Sequence, residues 1–378
     1  MIDVATARET FEGSADFTVG IEEEFALIDP HTLELVPRFE LLRDAAASDP
    51  VLAISIAGEL ISSEIEIRSG AGSDAEDARN RQADARRRLF TLARDNGVAL
   101  GSTGTHPLSD YREQHIIDTE HYHRVEEGLK YVAWRNNTFS VHVHVGVQGA
   151  DRAVRVCDRL RPVLPLLLAI SANSPYIDGR DSGLHSGRSQ TFTKSFPRCG
   201  VPDVFGSWRA WSDYVELLVR TGSIVEFTQL WWSVRPHHDF GTVEVRICDA
   251  QMTSGEADGL AELIVACVRR AAEEVDAGET PPDLPGRLIE ENVWRAIRYG
   301  LDGRMLDLAA ERIEEFPAAE TLDRLNAWAG AEVMLPDLNG AQRQRRMIDA
   351  GATPAEVYAA CLAETQATYF EETSNEPA

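Results

Sequence analysis

Phe139-Ser140-Val141-His142-Val143-His144-Val145-Gly146-Val147 alternates valine with small or ionisable residues. A strand turns successive side chains to opposite faces, so this period of two puts His142 and His144 on one face and the valines on the other. Three more segments repeat the pattern. Residues 18–28 carry Glu22 and Glu24 on one face and end in the turn-like Asp29-Pro30-His31, residues 61–67 set Glu64 and Glu66 against Ile65 and Ile67, and residues 241–249 place Glu244 with Arg246. Residues 98–102 read as a further short strand.

Between these strands lie helical stretches. Ser73 with Glu76 three residues on reads as a capping box, opening a helix that closes at Gly97. Residues 151–172 are helical by period, with Pro162 and Pro165 expected to bend or divide them. Helix resumes over 254–276. Residues 276–286, with Pro281, Pro282, Pro285, Gly278 and Gly286, form the best linker. From 288 to about 370 the chain is Arg/Glu-rich and helical, without a strand pattern. The expected organisation is α+β: a core over 14–276, a linker over 277–286, and a helical C-terminal region over 287–372 packed on that core, all one domain.

Composition narrows the function. The 378 residues carry 62 acidic against 37 basic side chains, a formal charge of −25. Nucleic acid or an anionic membrane would need a cationic footprint instead. Only Lys130 and Lys194 are lysines, and neither sits in a G-x-x-x-x-G-K-[ST] loop, so Walker-type phosphate binding is excluded and Schiff-base chemistry loses most of its candidates. Any phosphate would fall to arginine and metal. Cys157, Cys199, Cys248, Cys267 and Cys361 are scattered and odd in number, against a disulfide framework or a structural zinc site. Residues 1–15 lack the basic and apolar regions of a signal peptide, and the longest apolar run, 163–172, is too short for the roughly 20 residues of a membrane span. The protein is expected to be soluble and cytoplasmic.

Any one of the four charged strand faces is explained by solvent exposure. Together they recur with carboxylates and imidazoles and few neutral fillers, and converging like charges repel unless cations lie among them. Oxygen donors with an imidazole suit Mg²⁺ or Mn²⁺, ions that also bridge phosphate oxygens. Arg246, one pleat from Glu244, would offer phosphate a planar donor fork. Arg188, in the Gly/Ser-rich Ser186-Gly187-Arg188-Ser189, is a second cationic candidate, with a solvated loop arginine as the plain alternative.

Gly20-Ile21-Glu22-Glu23-Glu24-Phe25, Gly104-Thr105-His106-Pro107, His142-Val143-His144-Val145-Gly146, Trp231-Trp232-Ser233-Val234-Arg235-Pro236 and the 241–249 strand occur in that order. As a set they resemble the glutamate–cysteine ligase type 2 family, the carboxylate-amine ligases of the glutamine synthetase superfamily. The resemblance runs from about 16 to 370, the last third in general character only. It implies a curved, mostly antiparallel sheet with helices behind it and ATP with metals on its concave face. It also implies chemistry through an acyl phosphate that an amine displaces. By that resemblance Glu22, Glu24, Glu59, Glu66, His142 and Glu244 match metal-binding positions, and Arg188 and Arg246 match the arginines on the transferring phosphoryl group. His144 becomes a nucleotide-facing or packing residue, and Glu59 displaces Glu64, which strand parity alone had paired with Glu66. L-glutamate and L-cysteine are the implied substrates, ATP and Mg²⁺ (or Mn²⁺) the cofactors, and a homodimer follows by family analogy.

Glu23 points to the opposite strand face and reads as structural. His237-His238 reads as a solvated or capping pair, because adjacent residues on extended chain point apart. His121 and His123 read as surface residues, Trp231 and Trp232 as core and pocket wall, and Thr105 and His106 as substrate contacts or turn chemistry. A ligase for another acid and amine, a metal-dependent hydrolase working without ATP, and a non-catalytic binding protein are the competing readings.

Overall fold

In the computed structural model, which describes residues 4–280, 284–310 and 312–371, the alternating segments pair edge to edge. The strands are β1 (Val19–Ile28), β2 (Ile56–Ala57), β3 (Glu64–Arg68), β4 (Ala99–Gly101), β5 (Ser140–Gly146), β6 (Val234–His237) and β7 (Thr242–Asp249). They form one seven-stranded sheet in the order β6-β7-β5-β1-β3-β2, with β4 beside the far end of β1. Every pairing in it is antiparallel. The α+β expectation holds.

The helices that matter for the site are α1 (Ala75–Asp95), α2 (Ala150–Leu160), α3 (Leu164–Ser171), α4 (Ser254–Asp276), α5 (Gly286–Tyr299) and α6 (Pro354–Glu371). Ile21, Val141, Val143, Val145, Val243 and Val245 turn one sheet face into the main core, where they meet Val154, Leu160, Leu167, Ile264 and Val268 of α2, α3 and α4. Phe25, Ile65 and Ile67 pack in a neighbouring cluster with Leu89 and Phe90 of α1 and Tyr369 of α6. Burying a side chain of this size contributes roughly 1.5–3 kcal/mol. This back face therefore supplies the driving force that the charged front face cannot.

Several local expectations are corrected. The α1 cap is Asp74, one residue after the Ser73 expected, and its side chain accepts from Asp77 N at 2.9 Å; no reciprocal box forms, because Asp77 Oδ2 accepts from Ser73 N instead. The strand expected over 61–67 begins at Glu64, because the chain turns at Ser62-Ser63 with Glu64 N donating to Ile61 O. Ile61 makes an isolated bridge to Ile116 instead. The stretch expected to be wholly helical after 288 contains a hairpin, Arg304–Asp307 paired with Glu314–Pro317. Four-residue strands with Met305 and Phe316 as their buried anchors are too short to display a period. The helical run 151–172 is divided, as its prolines required, and Pro165 sits in the first turn of α3. Within the expected linker, residues 281–283 lie outside the described residues.

One irregularity shapes the site. Between Val245 and Cys248, β7 carries an extra residue against β5, so Val245 pairs with Val143 while Cys248 pairs with Val141. A bulge of this kind reverses side-chain parity. Asp249, five residues after Glu244, consequently turns to the same face.

At Gly146 the chain before β1 crosses close to the sheet: Phe17 N donates to Gly146 O at 2.8 Å and Gly146 N to Thr18 O at 2.7 Å. A Cβ there would run into the Ala15 carbonyl and the Thr18 hydroxyl. Gly146→Ala should lower stability by about 1–3 kcal/mol, read as a shift of the urea midpoint; an unshifted midpoint would mean that residues 15–18 yield freely.

Candidate active site

The front face of the sheet collects the ionisable side chains because the register aligns them. Glu22 lies opposite His142 on one side and Arg68 on the other, Glu24 opposite Glu66, and Glu244 opposite His144. A cavity of about 330 Å³ opens over them, walled by Tyr122, Phe192, Phe196, Trp231 and Phe240.

Glu22 bridges two imidazoles, with Oε2 3.4 Å from His142 Nδ1 and Oε1 3.4 Å from His144 Nε2. His144 Nε2 is also 3.8 Å from Glu244 Oε1. Glu24 Oε2 accepts from Ser140 N at 2.5 Å and Ser140 Oγ at 2.6 Å, leaving Oε1 3.8 Å from His142 Nε2. Among the described residues, four sets of donors each bring one atom per residue within 4.8 Å: Glu22/Glu66/His142, Glu22/His144/Glu244 and Glu24/Glu59/Glu66 on this face, and His237/His238/Asp239 in the turn at its edge. Glu22 and Glu66 each belong to two sets, so neighbouring ions there would share ligands.

The arginines are distributed unevenly. Arg235 Nε donates to Glu244 Oε2 at 2.6 Å, and its Nη1 donates to the carbonyl of Leu230 at 2.7 Å. Arg246 Nη1 donates to Glu244 Oε1, while its buried Nε has no hydrogen-bond partner among the described residues. Arg68 Nε donates to Glu66 Oε1 at 2.5 Å. Arg188 sits in a short helix, Gly187–Thr191, capped by Ser186, and is not in a solvated loop. Its Nη1 and Nη2 donate to the carbonyls of Ile247 and Arg246 at 3.1 and 3.2 Å. Arg188 thus borders the cavity while its terminal nitrogens hold the bulge that aims Arg246.

Charge balance divides the cluster in two. Burial works against ionisation of Glu22, yet the His144 charge and hydrogen bonds from His142 and His144 hold it well below the usual carboxylate range. Burial likewise opposes the Glu244 charge, and Arg235 and Arg246 overcome it. At the β3 edge the balance reverses. Burial, reinforced by the Glu24 charge, pushes Glu59 up to about 7, and burial with the surrounding carboxylates raises Glu64 and Glu66 well above the ordinary range. Glu64 is 1% exposed and its Oε2 has no hydrogen-bond partner among the described residues. Crowded oxygen donors, a carboxylate oxygen without a donor and a surplus of negative charge fit a divalent cation.

Glu22, Glu24, Glu59, Glu66, His142, Glu244 and Arg246 therefore converge, and His144, set apart as nucleotide-facing or packing, joins them in a donor set. Glu64 also lines the cavity. Arg68, Ser140 and Arg235 escaped sequence reasoning. Arg68 and Ser140 continue the parity of Glu64/Glu66 and His142/His144 and were legible in principle, whereas Arg235 is identified only by pairing opposite Glu244. His237 is buried in the cavity wall and stacked on Phe240, which corrects the solvated reading. His238 Nε2 stands 3.1 Å from Asp239 Oδ1. His121 is half exposed but reaches Glu226 at 3.2 Å across the cavity lining; His123 pairs with Asp118 at 2.8 Å. Trp231 lines the cavity and Trp232 is core. Thr105 and His106 serve the turn: Thr105 Oγ1 donates to Tyr176 O at 2.9 Å, and His106 Nδ1 accepts from Ser109 N at 2.9 Å. Lys130 and Lys194 pair with Glu127 and Glu290 outside the cavity lining.

The profile of glutamate–cysteine ligase family 2 matches residues 18–371. A Rubrobacter xylanophilus protein named "Putative glutamate--cysteine ligase 2-2" is 38% identical over 337 residues, 89% of this chain and 86% of that one. A Solibacter usitatus protein named "Putative glutamate--cysteine ligase 2" is 37% identical over 310 residues, 82% of this chain and 79% of its own. Among solved structures, a bifunctional glutathione synthetase from Pasteurella multocida superposes with a TM-score of 0.69 at 13% identity, covering 97% of this chain and 54% of that one. The glutamate–cysteine ligase of Francisella tularensis, solved in complex with AMP, superposes with a TM-score of 0.63 at 14% identity, covering 96% and 91%. At such identities the superpositions establish a shared fold.

A carboxyl whose folded pKa of about 7 exceeds its ordinary 4.5 keeps its proton better when folded, so its contribution to stability falls as pH rises between those values. Without metal, Glu59→Gln should therefore melt higher relative to wild type at about pH 8 than at about pH 5. Saturating Mg²⁺ should reverse that order by stabilising only the complete carboxylate set. A Glu59→Gln difference independent of both pH and Mg²⁺ would refute the crowding.

Proposed function

The chain belongs to glutamate–cysteine ligase family 2, a family of carboxylate–amine ligases, and on that premise we propose that it joins the γ-carboxyl of L-glutamate to the amine of L-cysteine while ATP is cleaved to ADP and phosphate. The observation that carries this reading is the convergence of three carboxylate/imidazole donor sets with the Arg246 guanidinium in one cavity. Phosphoryl transfer asks a protein chiefly for positioning and charge neutralisation. Mg²⁺ held by Glu22, Glu24, Glu59, Glu66, His142 and Glu244 would supply neutralisation of phosphate charge, and ATP the phosphoryl group that turns the substrate carboxylate into an acyl phosphate.

The chain's own side chains do the rest. Glu244 is gripped by Arg235 from behind and by Arg246 from the side, so its carboxylate is fixed before any ligand arrives. Among the described residues the buried Nε of Arg246 has no acceptor, leaving donor capacity for phosphate oxygens. Arg188 lines the same cavity with its own buried Nε free of acceptors among the described residues, while its terminal nitrogens brace the carbonyls of Arg246 and Ile247. Ser140 orients Glu24, and Thr242 Oγ1, 3.0 Å from His144 Nδ1, leaves Nε2 facing Glu22 and Glu244. The aromatic walls exclude water from an intermediate that water would hydrolyse. In the second step the amine nitrogen bonds to the acyl carbon, the C–O bond to phosphate breaks, and the proton lost by the amine leaves with the released phosphate.

Phosphate release measured over a panel of acids and amines tests the substrates; L-cysteine giving no more turnover than unrelated amines would sink the named pair. Arg246→Lys, which keeps charge but loses the planar fork, should lower kcat by about 10²–10³ without unfolding the protein. Glu244→Gln should abolish Mg²⁺-dependent ATP cleavage, and unchanged cleavage would remove the assignment of the site.

A further inference from the structure

Behind the site, on the apolar face of β1, lies a charge the chemistry above does not use. Glu23 is 3% exposed and stands between Glu22 and Glu24, pairing with Ile67 of β3 and Val141 of β5 in register. Its neighbours on that face are Ile21 and Phe25, both buried. An aliphatic side chain would pack there without the desolvation cost of an ion pair, and replacing such pairs by apolar groups is often neutral or stabilising.

The carboxylate is nonetheless fully engaged. Glu23 Oε2 accepts from Gln82 Nε2 at 2.7 Å and from Arg86 Nε at 2.6 Å, both on α1. Glu23 Oε1 lies 3.1 Å from the Tyr369 hydroxyl, across 346 residues of chain, and shares that single proton with the Gln251 carbonyl at 3.0 Å. Arg86 pairs in turn with Asp258 of α4 at 2.9 Å and lies over the Tyr369 ring, 5.1 Å from its centroid. The ring itself stacks on Phe90 and meets Phe25 edge-on. Two helices from distant parts of the chain, α1 and α6, thus meet on one carboxylate at the middle of the strand that presents Glu22 and Glu24, and α4 joins one step behind, through Arg86.

We propose that Glu23 is a positioning residue: anchored by Gln82, Arg86 and Tyr369, it sets the rotation of β1 and so the aim of Glu22 and Glu24, and the docking of α6 completes the metal-binding geometry. The inference rests on the proposed role of Glu22 and Glu24 as metal ligands. A strand held only by its ladder can twist about its axis, and a directional clamp behind it fixes that rotation, which an apolar contact, having no preferred direction, does less well. Groups that orient metal ligands without touching the ion typically change affinity or activity 10–100-fold when removed.

Two full-length variants test this. Tyr369→Phe keeps the ring stacking and removes only the hydroxyl, and Glu23→Leu with Arg86→Met replaces the ion pair by apolar groups of similar size. Thermal melting reports folding, the electron paramagnetic resonance signal of free Mn²⁺ reports metal binding without turnover, and phosphate release reports kcat and KM. Both variants should melt cooperatively, bind Mn²⁺ about tenfold more weakly, and lose kcat with little change in the KM for the acid. Folded variants with wild-type Mn²⁺ affinity would overturn the proposal, leaving the network a packing device. The Tyr369→Phe titration decides alone should the double variant not fold. A wild-type protein that binds no Mn²⁺ and releases no phosphate would overturn the ligase reading and this inference together, whereas binding and release in wild type matched by both variants overturns this inference only.

Discussion

The structure depends on holding like charges together. Glu22, Glu24, Glu59, Glu64, Glu66 and Glu244 line one cavity, and without cations their mutual repulsion opposes folding. What holds them there is the reverse side of the same strands, where Ile21, Phe25, Ile65, Ile67, Val143 and Val243 pack against helices. Each strand is thus divided lengthwise: one face contributes stability and the other offsets part of it with a crowded acidic cluster. A sheet suits this division because its period of two keeps the faces separate. A helix, with its broader apolar stripe, would not line up so many carboxylates against so complete a core.

The same period explains what could be read from the amino-acid sequence. Glu22 and Glu24, His142 and His144, and Glu244 and Arg246 were legible because alternation is a local property, and the structure brings them to one face. Relations between strands were not legible locally. That Glu22 faces both His142 and Arg68, or that Arg235 grips Glu244, is set by register, which no single segment displays. The bulge in β7 is of the same kind. It turns Asp249 toward Ser174 and Ser186, whose hydroxyls donate to it at 2.6 and 2.8 Å, and thereby seats the Arg188 helix. Within residues 241–249 nothing marks the extra residue. The cap of α1 and the hairpin after α5 differ from expectation for a simpler reason: the signals span only three or four residues, and neighbouring alternatives such as Ser73 and Asp74 score alike.

Arginine usage fits this architecture. Among the cations nearest the carboxylates, Arg235, Arg246 and Arg68 each reach a carboxylate with a nitrogen placed by a rigid plane, and Arg188 spans two successive carbonyls. Lysine, a flexible point charge, would neutralise without fixing direction. The scarcity of lysine, first useful for excluding phosphate-loop chemistry, is thus matched by a site in which geometry and charge come from the same side chains. The overall acidity is a separate matter, since most of the acidic residues lie outside the cavity, and nothing in the site accounts for them.

The contact between Tyr369 and Glu23 also bears on how the protein comes into being. On the ribosome, β1 is made long before Tyr369, which lies 346 residues beyond Glu23. The strand can pair with β3 and β5 and bury its apolar face well before then, but the back of Glu23 stays open until α6 has been synthesised and docked. Pairings of such long range close slowly, because the intervening chain must be ordered first. Closing the back of Glu23 is therefore a late event for a strand whose sheet partners, β3, β4 and β5, all precede residue 147.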